Sequence, residues 1–214
     1  MLTVWGRRSA FNVQKVLWLV GELGLAHRHV EAGGGFGGLD DPAFLRMNPH
    51  GRVPVIDDDG TVVWESHSIL RYLAARHGDE VLWPADPGAR ARADRWMDWT
   101  LASLQRDFMD LFWGFYRTPA PERDWPAIRA AQARLENHYW LLDRELGDRA
   151  YLAGPDFTLA DIPAGATLFR YFELEIDRPT LPGVEAWYRR LRRRPAYQTH
   201  VMQPFDELQG RLGY

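Results

Sequence analysis

The side chains best suited to chemistry come early in the chain, in a turn between a predicted strand and a predicted helix. Ser9 and Asn12 bring a hydroxyl and an amide to this turn, beside the backbone N–H groups that the start of a helix leaves without partners. Together these donors can hold an anion. The same two side chains can instead be competing N-caps of the helix, with no role beyond its start.

A second segment combines a proline with the start of a strand. Val53-Pro54-Val55 follows directly on a turn-rich stretch at residues 48–52, and a proline within a strand pattern requires an explanation. A cis peptide bond before Pro54 would bend the chain so that Val53 presents its own N–H and C=O to an extended ligand. The alternative is a trans proline at the edge of a sheet.

The third segment is Glu65-Ser66, which follows a predicted hairpin and precedes a predicted helix. Glu65 supplies a carboxylate for an ammonium group, and the helix start supplies N–H groups for a carboxylate. An α-amino acid carries both of these groups. The alternative is that Ser66 is only the N-cap of the helix.

Taken together, the three segments describe a site for an anion, an extended backbone and an amino-acid head group, which are the groups that glutathione presents. The chain contains no cysteine. Disulfides, thiolate metal sites and a cysteine nucleophile of the protein's own are therefore excluded, and any thiol chemistry must come from a ligand.

The elements that must position these segments follow from the pattern of the first 78 residues. Short β-prone runs at residues 2–5, 27–31, 53–56 and 61–64 alternate with helical patterns, and the Asp-Asp-Gly sequence at 58–60 predicts a hairpin turn. Gly24 is placed to end the first helix, Asp41 to cap the second and Ser66 to cap the third. The order βαβαββα predicts an α/β domain with a mixed sheet covered by helices.

Beyond this domain the pattern changes. Pro84, Pro87 and Gly88 interrupt residues 79–88, which we interpret as a linker. Residues 89–214 have a helical period throughout and predict an all-helical second domain. Aromatic residues fall in the later turns of its first long helix and can bind an apolar electrophile, although core packing explains at least half of them equally well; they are Phe108, Phe112, Trp113 and Tyr116.

Several other features have weaker functional meanings. The formal charge of −3 argues against nucleic acid as the main partner, and the arginines at 189–194 alternate with apolar residues as a solvated helix face does.

The glycines at 33, 35 and 38 imitate a dinucleotide motif, but acidic residues stand where phosphate would bind, so we predict a loop. His27 and His29 share a strand face without further ligands nearby, and we expect no metal site. No segment is long enough to cross a bilayer.

The sequence resembles the glutathione transferase family, and the resemblance runs through the whole chain. Its first part comprises Ser9 to Asn12 before Lys15-Val16, and the N-P-x-G-x-V-P pattern at residues 48–54. Its second part comprises Glu65-Ser66 with the residues that follow, and the stretch at 157–162 in the helical domain. In that stretch Thr158 and Asp161 have the spacing of a capping box, with Phe157 and Ile162 as its hydrophobic staple.

The resemblance implies a thioredoxin-like first domain, a cytoplasmic enzyme that is usually a homodimer, and glutathione as co-substrate for attack on small hydrophobic electrophiles. It implies that Val53 binds the cysteinyl backbone of glutathione, that Glu65 and Ser66 hold its γ-glutamyl head group, and that His50 and Arg52 lie near its glycine end.

One position departs from the family pattern. The place of the thiol-facing hydroxyl in serine-type relatives falls on Ala10, so the thiolate is assigned to Ser9, to Asn12 or to backbone N–H groups. Tyrosine- and cysteine-dependent mechanisms do not fit, because neither residue type occurs before Tyr72. A glutathione-dependent disulfide reductase or peroxidase of the same fold, and a non-catalytic binding protein, are the alternatives to a transferase.

Overall fold

The computed structural model describes residues 1–213 and divides them into two compact units. The first contains residues 1–79 together with 195–203, and the second contains residues 80–194 and 204–213. The sequence-based boundaries 1–78, 79–88 and 89–214 stay a prediction, and Tyr214 lies outside the described residues.

The first unit is built on a four-stranded mixed sheet. Its elements are, in chain order, β1 (Leu2–Trp5), α1 (Phe11–Glu22), β2 (His27–Val30), α2 (Pro42–Met47), β3 (Val55–Asp58), β4 (Thr61–Trp64) and α3 (Ser66–His77). The strand order is β2-β1-β3-β4, with β1 and β2 parallel and the other two pairs antiparallel. The predicted βαβαββα order and the mixed, thioredoxin-like sheet are confirmed.

Local sequence signals explain most of these boundaries. Asp59 and Gly60 both have positive φ, at 50° and 89°, which is the backbone of the two-residue hairpin turn that the sequence predicted. Asp41 caps α2 by accepting a hydrogen bond from the N–H of Ala43 at 2.7 Å. Gly24, with φ of 62°, follows the end of α1 as expected.

The starts of α1 and α3 differ from what their cap residues suggested. Of the two interpretations of Ser9 and Asn12, the structure excludes the N-cap, because the N-cap of α1 is Ala10, which makes no side-chain cap hydrogen bond. The predicted Ser66 cap is wrong. The N-cap of α3 is Glu65, whereas Ser66 is already the first helical residue. The shift by one residue occurs because Glu65 takes a positive φ of 68° that ends the strand and leaves the helix to begin after it.

A short helix from late in the sequence completes the first unit. This helix, α9 (Pro195–His200), packs on α1. Tyr197 meets Trp18 edge to face with ring centroids 4.7 Å apart, and both rings are fully buried. A methyl group on Gly21 would lie 2.9 Å from Cβ of Ala196, so the glycine permits the close approach of the two helices.

The second unit is helical. It contains α4 (Pro87–Trp99), α5 (Gln105–Leu111), α6 (Trp125–Leu146), α7 (Asp161–Glu173) and α8 (Pro182–Leu191). The first long helix that the sequence predicted for this domain is continuous, but its turns widen to π-helix at Thr100–Leu104 and Phe112–Arg117. Within residues 1–213 no helix combines the length and the apolar character needed to cross a membrane.

The hydrogen bonds of the predicted capping box are present and buried, although α7 begins at Asp161 and has Ala160 rather than Thr158 as its N-cap. Asp161 accepts hydrogen bonds from the N–H of Thr158 at 3.0 Å and from the N–H of Leu152 at 3.0 Å, and Thr158 Oγ1 accepts one from the N–H of Ala160 at 3.2 Å. Trp187 Nε1 on α8 donates a further hydrogen bond to Asp161 at 3.0 Å. Phe157 and Ile162, the predicted staple, are both buried.

Candidate functional site

The three polar segments of the sequence meet at one edge of the sheet. Trp5 at the end of β1 pairs with Val55 at the start of β3, and Val55 pairs with Trp64 at the end of β4. Because these three residues are in register, the chain leaves β1, enters β3 and leaves β4 at the same edge. The segments 6–12, 53–54 and 65–66 therefore lie side by side.

Gly6 brings the first two of these segments into contact. Its φ is 143°, and a Cβ atom at this position would lie 2.4 Å from Cγ2 of Val13 and 3.1 Å from Cβ of Val53. Only glycine permits this approach without displacement of the neighbours. The turn that carries Ser9 is consequently held against the residue that precedes the cis proline.

Both helices that begin at this edge lack a side-chain cap. Their N-cap residues, Ala10 in α1 and Glu65 in α3, make no side-chain cap hydrogen bond. By contrast, Asp41, Asp86 and Asp124 cap α2, α4 and α6. A helix start without a capping side chain is suited to bind an anion, and the two helix dipoles favour a negative charge there.

Ser9 and Asn12 flank the start of α1. Ser9 is half-buried and precedes the N-cap residue, and Asn12 is the second helical residue. Oδ1 of Asn12 is buried and has no hydrogen-bond partner within residues 1–213. A buried carbonyl oxygen of this kind can accept a hydrogen bond from a ligand.

The peptide bond between Val53 and Pro54 is cis, as the sequence indicated. Pro54 is buried and Val53 is half-buried, and both precede the first ladder residue of β3, Val55. The backbone groups of Val53 are therefore not part of the pairing between named strands. They can pair with an extended ligand instead.

Buried Asn48 organises the loop that carries His50 and Arg52. Its Oδ1 accepts a hydrogen bond from the N–H of His50 at 3.0 Å, and its Nδ2 donates to the carbonyl of Arg52 at 2.8 Å. The side chains of His50 and Arg52 are exposed, and the ring of His50 packs against Trp64 with centroids 5.2 Å apart. Asn48 is a positioning residue that the sequence motif contained but that we did not single out.

Glu65 and Ser66 stand at the junction of β4 and α3. Glu65 is exposed and has a positive φ of 68°, which is uncommon for a residue with a side chain and costs on the order of 1 kcal/mol or more. Ser66 is buried, with 4% of its surface exposed. Backbone strain of this kind is concentrated at functional sites, because the surrounding structure has to maintain it.

The aromatic residues assigned to a second substrate lie in the helical unit. Phe108 and Phe112 stack on each other with centroids 5.9 Å apart and are buried, at 0% and 1% exposure. Tyr116 stacks on Phe112 at 5.2 Å and is half-buried. Burial raises the pKa of the Tyr116 hydroxyl, as does the charge of Asp206. Of these three residues, Tyr116 has surface accessible to a ligand. The assignment of all three to binding of the second substrate stays a prediction.

The remaining candidate features have structural roles. The glycine-rich stretch forms a loop with one short 3-10 turn at Gly34–Phe36, not the start of a long helix. His29 Nε2 lies 2.7 Å from the carbonyl of Gly6, and His27 Nδ1 lies 3.0 Å from the carbonyl of Leu25. Among residues 1–213, no group of three or more histidine, cysteine or acidic side chains is arranged to hold a metal ion.

Comparison with known proteins extends this picture. The N-terminal domain of glutathione S-transferases matches residues 6–81, and the C-terminal domain matches residues 104–195. The chain is 38% identical to glutathione S-transferase GstB of Escherichia coli K12 over 206 residues, which are 95% of this chain and 99% of that protein. It is 27% identical to the disulfide-bond oxidoreductase YfcG of Escherichia coli K12, over 86% and 87% of the two chains.

A solved structure agrees. The theta class glutathione S-transferase from Xanthomonas axonopodis pv. citri with glutathione bound has 47% identity and a TM-score of 0.90, covering 95% of this chain and 98% of its own. The chain combines a thioredoxin-like domain, a helical domain, and two helix starts that meet the polar segments at one edge of the sheet. This combination is the architecture of glutathione-binding enzymes. The chain belongs to the glutathione S-transferase family. As a member it is a transferase with glutathione as co-substrate.

Proposed function

We propose that the protein joins the thiolate of glutathione to small apolar electrophiles, and that Ser9, Asn12 and the N–H groups at the start of α1 hold the thiolate. The observation that carries the proposal is the meeting of the segments 6–12, 53–54 and 65–66 at one sheet edge. In this arrangement Val53 pairs with the cysteinyl backbone, Glu65 and Ser66 bind the γ-glutamyl head group, and His50 and Arg52 contact the glycine end.

In the reaction the thiol proton leaves to solvent, sulfur forms a bond to the electrophilic carbon, and a leaving group departs with its electron pair. A free thiol titrates near ~8.5, so about 3% is thiolate at pH 7, and a pKa lower by about two units gives about three quarters. That shift corresponds to ~2.7 kcal/mol, which one or two hydrogen bonds to the charged sulfur can supply.

The gain in ionisation overstates the gain in rate. With a Brønsted slope of ~0.45, a ~25-fold rise in thiolate shrinks to about threefold in rate, because a less basic thiolate is a weaker nucleophile. Orientation of the electrophile must therefore contribute most of the acceleration. We assign this role to the aromatic face of the helical unit, in particular to half-buried Tyr116.

The alternative activity is reduction of disulfides through bound glutathione, which is favoured by the similarity to YfcG and by the position of Asn12 in the first turn of α1. A substrate panel separates the two activities. Purified protein with glutathione is assayed against chlorodinitrobenzene, cumene hydroperoxide and hydroxyethyl disulfide. Turnover of the disulfide without turnover of the chloroarene would replace a transferase by a reductase.

We also propose that the protein acts as a cytoplasmic homodimer.

The head-group assignment is tested by Glu65→Ala and Ser66→Ala. Each change removes a charge-assisted contact of roughly 1.5–3 kcal/mol, so we expect glutathione to bind at least tenfold more weakly to each variant in titration calorimetry. Asp59→Ala, at the exposed hairpin turn on the opposite edge, is the control and should bind as the wild type does. Unchanged affinity in both site variants would remove this assignment.

The thiolate assignment is tested by ultraviolet titration of bound glutathione. If Ser9 donates to sulfur, Ser9→Ala raises the thiol pKa by about one unit, the equivalent of ~1.4 kcal/mol, and Asn12→Ala leaves it nearly unchanged. The reverse result assigns the role to Asn12. If neither variant moves the thiol pKa, the backbone N–H groups hold the charge and both side chains are eliminated as catalytic residues.

A further inference from the structure

A lysine is enclosed in the first unit, between the two helix starts of the proposed site. Lys15 on α1 has no exposed surface, and its Nζ lies 4.7 Å from the centroid of the Phe11 ring. Nζ also lies 3.2 Å from Nε2 of His67, a residue of α3 with 3% of its surface exposed. An ammonium group is costly to bury, so a lysine at such a position requires a compensating partner or a function.

The pair joins the two ends of the proposed glutathione site. Lys15 follows Asn12 by one helical turn on α1, and His67 directly follows Ser66 on α3. Contact between Nζ and the imidazole therefore fixes the start of one helix relative to the start of the other. Burial lowers the pKa of Lys15 to about 7, and the charge of Glu65 acts in the opposite direction. Near neutral pH the lysine is thus close to half-protonated.

The charges around this pair determine how it responds to a ligand. From α3, Glu65 and His67 act on Lys15. At the far end of α3, Asp58 of β3 is engaged by Arg76 and His77. From α9, His200 interacts with Arg8, His27 and His29. The γ-glutamyl head group brings charges of both signs to the start of α3. Its ammonium contacts exposed Glu65, where solvent screens the charge, whereas its carboxylate lies beside buried Ser66 and its neighbour His67, so the less screened negative charge dominates and favours the protonated lysine.

We propose that Lys15 and His67 form a buried proton-sharing pair that positions the start of α3, and that the pair takes up a proton when the γ-glutamyl carboxylate of glutathione binds. The inference rests on the proposed function and deepens it, because it couples head-group binding to protonation at a residue that does not touch the ligand. Lys15 is a positioning residue in this scheme.

The test is calorimetric titration with S-methylglutathione, whose blocked sulfur removes thiol ionisation from the signal. Binding is measured between pH 6 and 7.5 in buffers with different ionisation enthalpies. We expect the wild type to take up about half a proton per site, which corresponds to about a fivefold loss of affinity across this pH range. Binding without proton uptake by the wild type would overturn the inference, whereas no binding at any pH would instead refute the proposed function.

Variants locate the proton. Lys15→Met should abolish the uptake and leave affinity independent of pH in this range. Gln14→Met, a polar-to-apolar change at a neighbouring buried position of α1, is the matched control. It should keep the proton uptake and the pH dependence of the affinity. His67→Leu retains the lysine but removes its acceptor, so the midpoint of uptake should move to lower pH. Wild-type uptake in Lys15→Met, or an unmoved midpoint in His67→Leu, would contradict the proposal.

Discussion

Asp161 is the buried group whose removal should affect stability most clearly. Its side chain has 0% exposure and accepts hydrogen bonds from the N–H groups of Leu152 and Thr158 and from Nε1 of Trp187. These donors come from the loop before α7 and from α8. Asp161→Ala leaves all three buried without an acceptor, while the fold around them stays the same.

The magnitude follows from two opposing terms. Three orphaned donors at ~1.5–2 kcal/mol each cost about 5 kcal/mol. Against this, burial raises the pKa of Asp161 from 3.8 to about 6 although the hydrogen bonds from Leu152 and Thr158 lower it, and removal of the buried charge returns about 3 kcal/mol near pH 7. The net loss is about 2 kcal/mol, or roughly 4–8 °C in melting temperature for a chain of this size.

The pH dependence makes the test sharper. The folded-state pKa lies above the unfolded value, so between pH 6 and 4 the folded wild type holds a proton that the unfolded chain has lost, and acidification stabilises it. Asp161→Ala lacks this contribution, so the difference between the two proteins should grow by about 2–3 kcal/mol as pH falls from 6 to 4.

The assay is thermal and urea unfolding of the wild type, Asp161→Ala and the control Asp156→Ala, whose side chain is exposed. Glutathione turnover at a temperature where all three are folded should be unchanged, because the box lies in the helical unit. An undiminished melting temperature for Asp161→Ala, or a difference that stays constant from pH 6 to 4, would refute the reasoning.

Two further changes probe how α9 packs on α1. Burial lowers the pKa of His200 to about 4, as do the charges of Arg8, His27 and His29. Because the unfolded value is higher, the full shift would cost the wild type roughly 2.6 kcal/mol of stability as pH falls from about 6.5 to 4. The ring is part-exposed and solvent screens the charges around it, so we expect a loss of about 1 kcal/mol in the wild type and none in His200→Gln. Gly21→Ala improves intrinsic helix propensity by up to ~1 kcal/mol, yet its methyl group would lie 2.9 Å from Cβ of Ala196. We expect a net destabilisation in urea unfolding, which Ala196→Gly should partly reverse.

Local sequence signals were sufficient for much of the first unit. The strand pattern, the hairpin at Asp59-Gly60 and the Asp41 cap each depend on residues within a few positions of one another, and the structure contains them. The third strand was predicted to begin at Val53 but begins at Val55, after the cis proline. The cap of α3 was misplaced. Ser66 has an ideal cap side chain, but the positive φ of Glu65 moves the helix start by one residue, and no local pattern announces such strain.

Long-range packing could not be predicted from the sequence. Nothing in residues 195–200 indicates that α9 packs on α1, because the complementarity of Tyr197 with Trp18 and the space left by Gly21 exist only after folding. Lys15 belonged to a motif but was not expected to be enclosed, since lysine is rarely buried. The role of Asn48 likewise depends on hydrogen bonds that a turn-rich sequence does not specify.

The mispredicted cap at Ser66 is consistent with the proposed site. A capping side chain occupies one of the N–H groups that a helix start could otherwise offer to a ligand, and Asp41, Asp86 and Asp124 cap α2, α4 and α6 in this way. At the site edge, α1 and α3 begin at Ala10 and Glu65 without a capping side chain. An anion bound there would supply the missing acceptor, worth about 1 kcal/mol per helix. The rule that places a capping side chain at a helix start therefore failed at Ser66, beside one of the two helix starts that we propose to bind glutathione.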